Sequence, residues 1–141
     1  MSNPKKRKGT AWENLFAEML EEKIEEAKAK RIPGSGAIGT IVKEPFLQGD
    51  VRAVFKGFNK PFKFEAKVGY GGSKQLTIKK EWLDKIKEEA SYDYSIPALA
   101  CKFSGARLKD GVQYFVILDF DTFCDIINYV YELDSMIEDY E

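Results

Sequence analysis

Gln48-Gly49-Asp50-Val51-Arg52-Ala53-Val54-Phe55 and, after a turn, Phe62-Lys63-Phe64-Glu65-Ala66-Lys67-Val68 decide the reading of this chain. Side chains on a strand alternate between faces, so Phe62, Phe64, Ala66 and Val68 share one face and Lys63, Glu65 and Lys67 the other. If the two runs pair as a hairpin about residues 57–60, Asp50 falls opposite Glu65 to Lys67. Two carboxylates and one ammonium then converge at one end of a sheet. Carboxylates hold a hard cation such as Mg²⁺, the cation activates water, and the ammonium stabilises charge at phosphorus, so the trio suits metal-dependent phosphodiester hydrolysis. The same alternation is also that of an ordinary half-buried strand whose outer face carries an ion pair.

Outward from this hairpin the chain alternates helices and strands. Thr10-Ala11-Trp12-Glu13 matches a capping box, which predicts a helix from Thr10 towards Lys30 with Leu15, Phe16, Met19, Leu20 and Ile24 at helical spacing. Residues 1–9 then form a flexible basic arm. Pro33 with Gly34, Gly36 and Gly39 forces an irregular stretch. Residues 75–78 suit a short extended piece. Residues 79–90 read as a helix, 96–103 and 112–118 as strands joined through Lys109-Asp110-Gly111. A last helix runs from Asp121, with Phe123, Ile126, Ile127, Val130 and Leu133 as its apolar stripe. The order predicts an α/β single domain over residues 10–141, with a central mixed β-sheet flanked by helices and an acidic C-terminal helix.

A chain of 141 residues has room for one core of its own. Hydrophobic residues make up 44% and charged residues 32%, which fits a folded domain and not a disordered one. No apolar run reaches membrane-spanning length and no signal peptide is visible, so a cytoplasmic protein is expected. Cys101 and Cys124 stand far apart in sequence and read as reduced, buried thiols. Histidine is absent, which excludes Ser-His-Asp and Cys-His catalysis and the usual zinc sites.

The net charge of −1 hides a segregation. Residues 119–141 carry eight acids and no Lys or Arg; since the whole chain has 22 basic and 23 acidic residues, residues 1–118 hold 22 against 15, a net +7. A basic body suits a nucleic-acid partner, although an acidic solvated helix beside ordinary charge scatter gives the same numbers. Gly34-Ser35-Gly36-Ala37-Ile38-Gly39 has the G-x-G-x-x-G spacing but follows a helix instead of a strand, and no lysine follows Gly39. That excludes a dinucleotide fingerprint and a P-loop and leaves a glycine loop carrying one hydroxyl, Ser35, able to approach a phosphate or serve as a plain connector. Lys5-Lys6-Arg7-Lys8 reads either as a localisation-type basic run or as an arm on DNA phosphates.

Taken together, these pieces resemble the archaeal-type Holliday junction resolvases, which also occur in phages and belong to the PD-(D/E)xK nuclease superfamily. Lys5 to Glu13 resembles the family's basic start and first catalytic glutamate, and Arg31 to Gly36 its arginine-serine loop. Gly49-Asp50 stands where the family has Pro-Asp, and Glu65-Ala66-Lys67 where it has Glu-x-Lys. Leu76 to Glu81 is similar to the entry into its next helix, and Ile96 to Phe103 to its following core strand. The likeness spans roughly residues 5–120, leaving out the acidic tail.

The resemblance implies a restriction-endonuclease-like core and a Mg²⁺-dependent endonuclease, with Mn²⁺ as a substitute, that resolves four-way DNA junctions by symmetric cleavage. It implies metal ligands at Asp50, Glu65 and the Ala66 carbonyl, with Glu13 holding a water at the metal or a second ion. Lys67 orients the attacking water or stabilises developing charge, and Ser35 closes over the scissile phosphate. Lys5, Lys6, Arg7, Lys8, Arg31, Ser35, Lys79 and Lys80 bind DNA, and the protein is a homodimer with Tyr114, Phe115 and Phe120 as interface candidates. It acts on DNA inside the cell, including in a phage's host cytoplasm. The competing readings are another PD-(D/E)xK endonuclease acting on flap or duplex DNA, a catalytically inactive DNA-binding module, and a scaffold whose charges form only a surface cluster.

Overall fold

The computed structural model describes residues 4–32, 51–69, 74–105 and 111–140, with side chains from Gly9 to Glu138 within those ranges. Among them lie three helices, α1 (Pro4–Lys23), α2 (Lys80–Asp93) and α3 (Phe120–Tyr140). Five strands, β1 (Lys28–Arg31), β2 (Val51–Val54), β3 (Phe62–Val68), β4 (Ile96–Lys102) and β5 (Tyr114–Ile117), form one mixed sheet in the order β1-β2-β3-β4-β5. All neighbours are antiparallel except β3 and β4, which run parallel. A parallel pair needs a crossover, and α2 supplies it.

That crossover decides the environment of the charged strand. Phe62, Phe64, Ala66 and Val68 join Ala98 and Ala100 of β4 and Trp12 and Phe16 of α1 in one core. Leu99 and Cys101, on the other face, pack under Ile86, Trp82 and Leu83 of α2. The predicted alternation of β3 is therefore correct, but its charged face is not solvated: α2 covers it, and Lys63 is only 3% exposed. Lys63 is paired with Asp93, the last residue of α2. Removing one member of such a buried pair costs about 3–5 kcal/mol because the other charge is left uncompensated.

Helix α1 begins at Pro4, not Thr10, so residues 4–9, expected as an arm, are its first turns. Proline suits a helix start because its missing N–H would have no helical partner there. The helix ends at Lys23, and the segment expected to continue it turns at Glu26, where the backbone is left-handed (φ 59°), into β1. The Ala29 N–H donates to Glu21, tying β1 back to the helix. Trp12 anchors the helix to the sheet: its indole N–H donates to the Ala100 carbonyl at 3.0 Å and its ring stacks on Tyr114. Residues 75–78 belong to no helix or strand.

Helix α3 meets the body through only part of the stripe predicted for it. Ile126 packs on the α1-side core. Tyr129 stacks on Phe58, donates its hydroxyl to the Gly57 carbonyl at 2.6 Å and accepts the Asn59 N–H at 3.0 Å. Phe123, Ile127 and Val130, expected to be buried, are exposed. The helix is capped by Asp119, whose carboxylate accepts the Thr122 N–H and hydroxyl and an ammonium proton from Lys87. Burial alone would raise the Asp119 carboxyl; the bonds from Thr122 and Lys87 outweigh it and hold the group below its ordinary range.

Two predictions follow from these helix ends. Gly9 lies inside α1, and a Cβ there would meet nothing within 4 Å. Gly9→Ala should stabilise the fold by about 0.5–1 kcal/mol in urea unfolding, since it removes backbone freedom from the unfolded chain without a clash. Asp119→Ala should cost about 1 kcal/mol at pH 7. The Asp119 carboxyl is depressed in the folded state, so its contribution is present above the ordinary carboxylate range and lost as pH falls through the folded value. The gap between wild type and Asp119→Ala should therefore close in acid.

Candidate active site

Glu65 and Lys67 project from β3 towards α2, two positions apart on one face, as the alternation requires. Their register partners on β4 are Leu99 and Cys101. Glu65 is 6% exposed, an unusual burial for a carboxylate on a central strand. One of its oxygens, Oε1, faces two ammonium groups: Lys85 Nζ at 3.3 Å and Lys67 Nζ at 3.6 Å. The other, Oε2, is buried with no hydrogen-bond partner among the described residues. A buried carboxylate oxygen left without a partner is costly, and such oxygens mark places where an ion or water completes the site.

Lys67 Nζ lies 4.3 Å from the centre of the Trp82 ring, over its face. The neighbouring Cys101 thiol is pushed up to about 11 by burial, with the Lys67 charge opposing the shift. It is therefore a protonated, unreactive thiol at neutral pH, in keeping with the structural role expected for it. Lys85 and Trp82 were not expected from the sequence. Both sit on α2, three residues apart, and a crossover helix must pack over the strand it leaves, so the spacing was a usable signal.

Glu13 lies on α1, where its carboxylate is ion-paired with Arg31 of β1. Since Thr10 is inside the helix, the predicted capping box does not form. Arg31, expected to contact DNA, is ion-paired with Glu13 and partly exposed. Lys79 precedes α2 in extended conformation and its exposed ammonium is 4.0 Å from Glu81. Lys80, the first residue of α2, is exposed and bonded to Asp84 at 2.7 Å. Lys5, Lys6, Arg7 and Lys8 occupy the first turns of α1. Asp50 and Ser35 lie outside the described residues. The β2–β3 ladder does have the predicted register as far as Val51 opposite Phe64. Among the described residues no three acids, cysteines or histidines cluster as a complete metal site. What is present is one buried carboxylate with a spare oxygen, the donor type a hard cation takes.

A family model described as "Phage putative PDDEXK endonuclease" matches residues 4–135. The chain belongs to this phage PDDEXK endonuclease family. The family match extends beyond the resemblance read from the sequence, into the acidic helix α3. A solved structure with a similar fold is that of Archaeoglobus fulgidus Hjc, a Holliday junction resolvase from an archaeal hyperthermophile, with TM-score 0.50 and 18% identity over 79% of this chain and 88% of that one. No curated protein matches the chain. The five-stranded mixed sheet and its helices are thus a restriction-endonuclease-like core, as expected, and the family is one of nucleases. No described helix is long and apolar enough to cross a membrane.

The spare oxygen of Glu65 gives a direct prediction. Mg²⁺ should raise the unfolding temperature of the protein, with about 2.7 kcal/mol of stabilisation at a hundred times its dissociation constant. Glu65→Gln should abolish the rise in a thermal melt, because an amide replaces the anionic donor.

Proposed function

We propose that this protein is a Mg²⁺-dependent endonuclease that resolves four-way DNA junctions by paired phosphodiester cleavage. The observation that carries the metal-dependent nuclease reading is the buried, partnerless Oε2 of Glu65 beside the ammonium of Lys67, on a family fold of nucleases. The junction reading draws on the likeness to a resolvase over most of both chains.

In this proposal Glu65 Oε2, the Asp50 carboxylate and the Ala66 carbonyl hold Mg²⁺, and Mn²⁺ substitutes. The β2–β3 ladder runs as far as Val51 opposite Phe64, and in this proposal Asp50, next in sequence to Val51, supplies the second carboxylate beside Glu65. When bound, the ion lowers the pKa of a coordinated water and offsets charge on the phosphate. Lys67 sets its ammonium beside the same carboxylate, where it stabilises negative charge developing on a non-bridging phosphate oxygen. Lys85 supplies a second cation on Glu65 Oε1 and holds the carboxylate in orientation. Glu13 has a positioning part, fixing Arg31 through their ion pair.

The DNA is bound through its backbone. Lys5, Lys6, Arg7 and Lys8 fall at the positive end of the α1 dipole, where cations disfavour the helix until an anion neutralises them. Phosphates do so, and Lys79, Lys80 and the hydroxyl of Ser35 extend the contact. Reading shape in this way suits a branched substrate. A homodimer places two such sites about a two-fold axis, as paired cuts require. The exposed Tyr114 and Phe120 suit its interface, while Phe115 packs inward on Leu99 and Cys101 and does not.

The test is cleavage of a labelled four-way junction against linear duplex of the same sequence, with Mg²⁺, for wild type and Asp50→Ala. Paired symmetric nicks on the junction alone, reduced at least a hundredfold in the variant, are expected. Equal cutting of the duplex would replace the resolvase by a flap or duplex nuclease, and tight binding without cutting would leave a DNA-binding module.

A further inference from the structure

Lys67 has four rotatable side-chain bonds, yet the chemistry assigned to it needs its nitrogen in one place. The partner expected to fix it, Glu65, does not do so by a hydrogen bond: their closest approach is 3.6 Å, beyond the usual donor–acceptor range. The Lys67 nitrogen also lies over the face of Trp82, 4.3 Å from the ring centre. An ammonium over an indole face is attracted by the ring's negative quadrupole, and the attraction strengthens as water is excluded. The Lys67 side chain is only 26% exposed, so this contact is largely shielded.

Trp82 is itself well fixed. It lies in the first turns of α2, and its ring packs against the buried cluster of Ile86, Leu99 and Cys101. Lys79, at the start of the same helix, approaches the ring more distantly, at 6.0 Å. The indole thus transmits the position of α2 to an ammonium on β3. The same ammonium lies 3.6 Å from Glu65 Oε1, short of a hydrogen bond. Were Lys67 released, it could close onto the carboxylate as a tight ion pair and compete there with a divalent cation.

We propose that Trp82 is a positioning residue for Lys67: its ring face holds the ammonium beside Glu65 without letting it collapse onto the carboxylate. This deepens the nuclease reading and rests on it. A tryptophan on a helix that the likeness-based assignment used only for its terminal lysines thereby becomes part of the working site.

The experiment compares wild type, Trp82→Phe and Trp82→Leu as full-length protein, by two readouts. The first is the proton NMR shift of the Lys67 ε-methylene without metal, which a ring face moves upfield. The second is the kcat and KM for four-way junction cleavage with Mg²⁺. The wild type should show the upfield shift, Trp82→Phe a smaller one and Trp82→Leu none. Trp82→Leu should lower kcat about tenfold with KM for DNA unchanged, while Trp82→Phe, which keeps an aromatic face, should stay within about threefold of wild type. Ordinary ε-methylene shifts in the wild type, an unchanged kcat in Trp82→Leu, or equal losses in both variants would overturn the proposal. Upfield shifts in a wild type that cuts no DNA would overturn the nuclease reading instead, leaving the ring contact as a structural clamp.

Discussion

A carboxylate buried on a central strand must be neutralised, and the structure around Glu65 is organised by that requirement. The strand is central, paired with β2 on one side and β4 on the other, and because β4 runs parallel to it, the crossover α2 lies across the face that carries Lys63, Glu65 and Lys67. Each charge on that face is then answered from α2 or its own strand. Lys63 meets Asp93, Lys67 meets the Trp82 ring, and Glu65 meets Lys85 on one oxygen. Among the described residues, Glu65 Oε2 goes unanswered. Structural ion pairs tend to satisfy every lone pair, so an unsatisfied buried oxygen is better explained by a ligand than by folding.

The opposite face does purely structural work. Trp12, Phe16 and Phe64 fill the space between α1 and the sheet, and the Trp12 indole is bonded to a β4 carbonyl. Truncating such a buried aromatic costs about 3–5 kcal/mol. The two faces of a single strand thus differ: even positions of β3 pack the α1-side core, while odd positions turn Lys63, Glu65 and Lys67 towards α2, where the proposed chemistry lies. Helix α3, attached by Ile126 and Tyr129 and exposed along Phe123, Ile127 and Val130, stands apart from both.

The sequence disclosed those features whose cause is local. The alternation of β3 and the turn at Gly57 gave the hairpin register, because a one-residue slip would move Phe62 and Phe64 off the core. The apolar runs gave β4, β5 and both later helices. Three readings went astray where a distant partner decided the outcome. Lys28-Ala29-Lys30-Arg31 suits a helix by propensity, yet pairs with β2 as a charged edge strand, a composition that also blocks pairing with other chains. Thr10 and Glu13 had capping-box spacing, but Glu13 is engaged by Arg31, 18 residues on. The charged face of β3 looked solvated because nothing within the strand announces that α2 returns over it. Lys85 and Trp82, three residues apart on that helix, carried a signal in their spacing that the strand itself does not.

The central claim is that Glu65 Oε2 is a metal ligand. Crystals soaked in Mn²⁺ and measured at an energy where manganese scatters anomalously test it without any assumption about substrate. The account predicts an anomalous peak about 2.2 Å from Glu65 Oε2, a distance at which hard divalent ions meet carboxylates. A peak elsewhere on the protein, with Glu65 still unliganded, would contradict it.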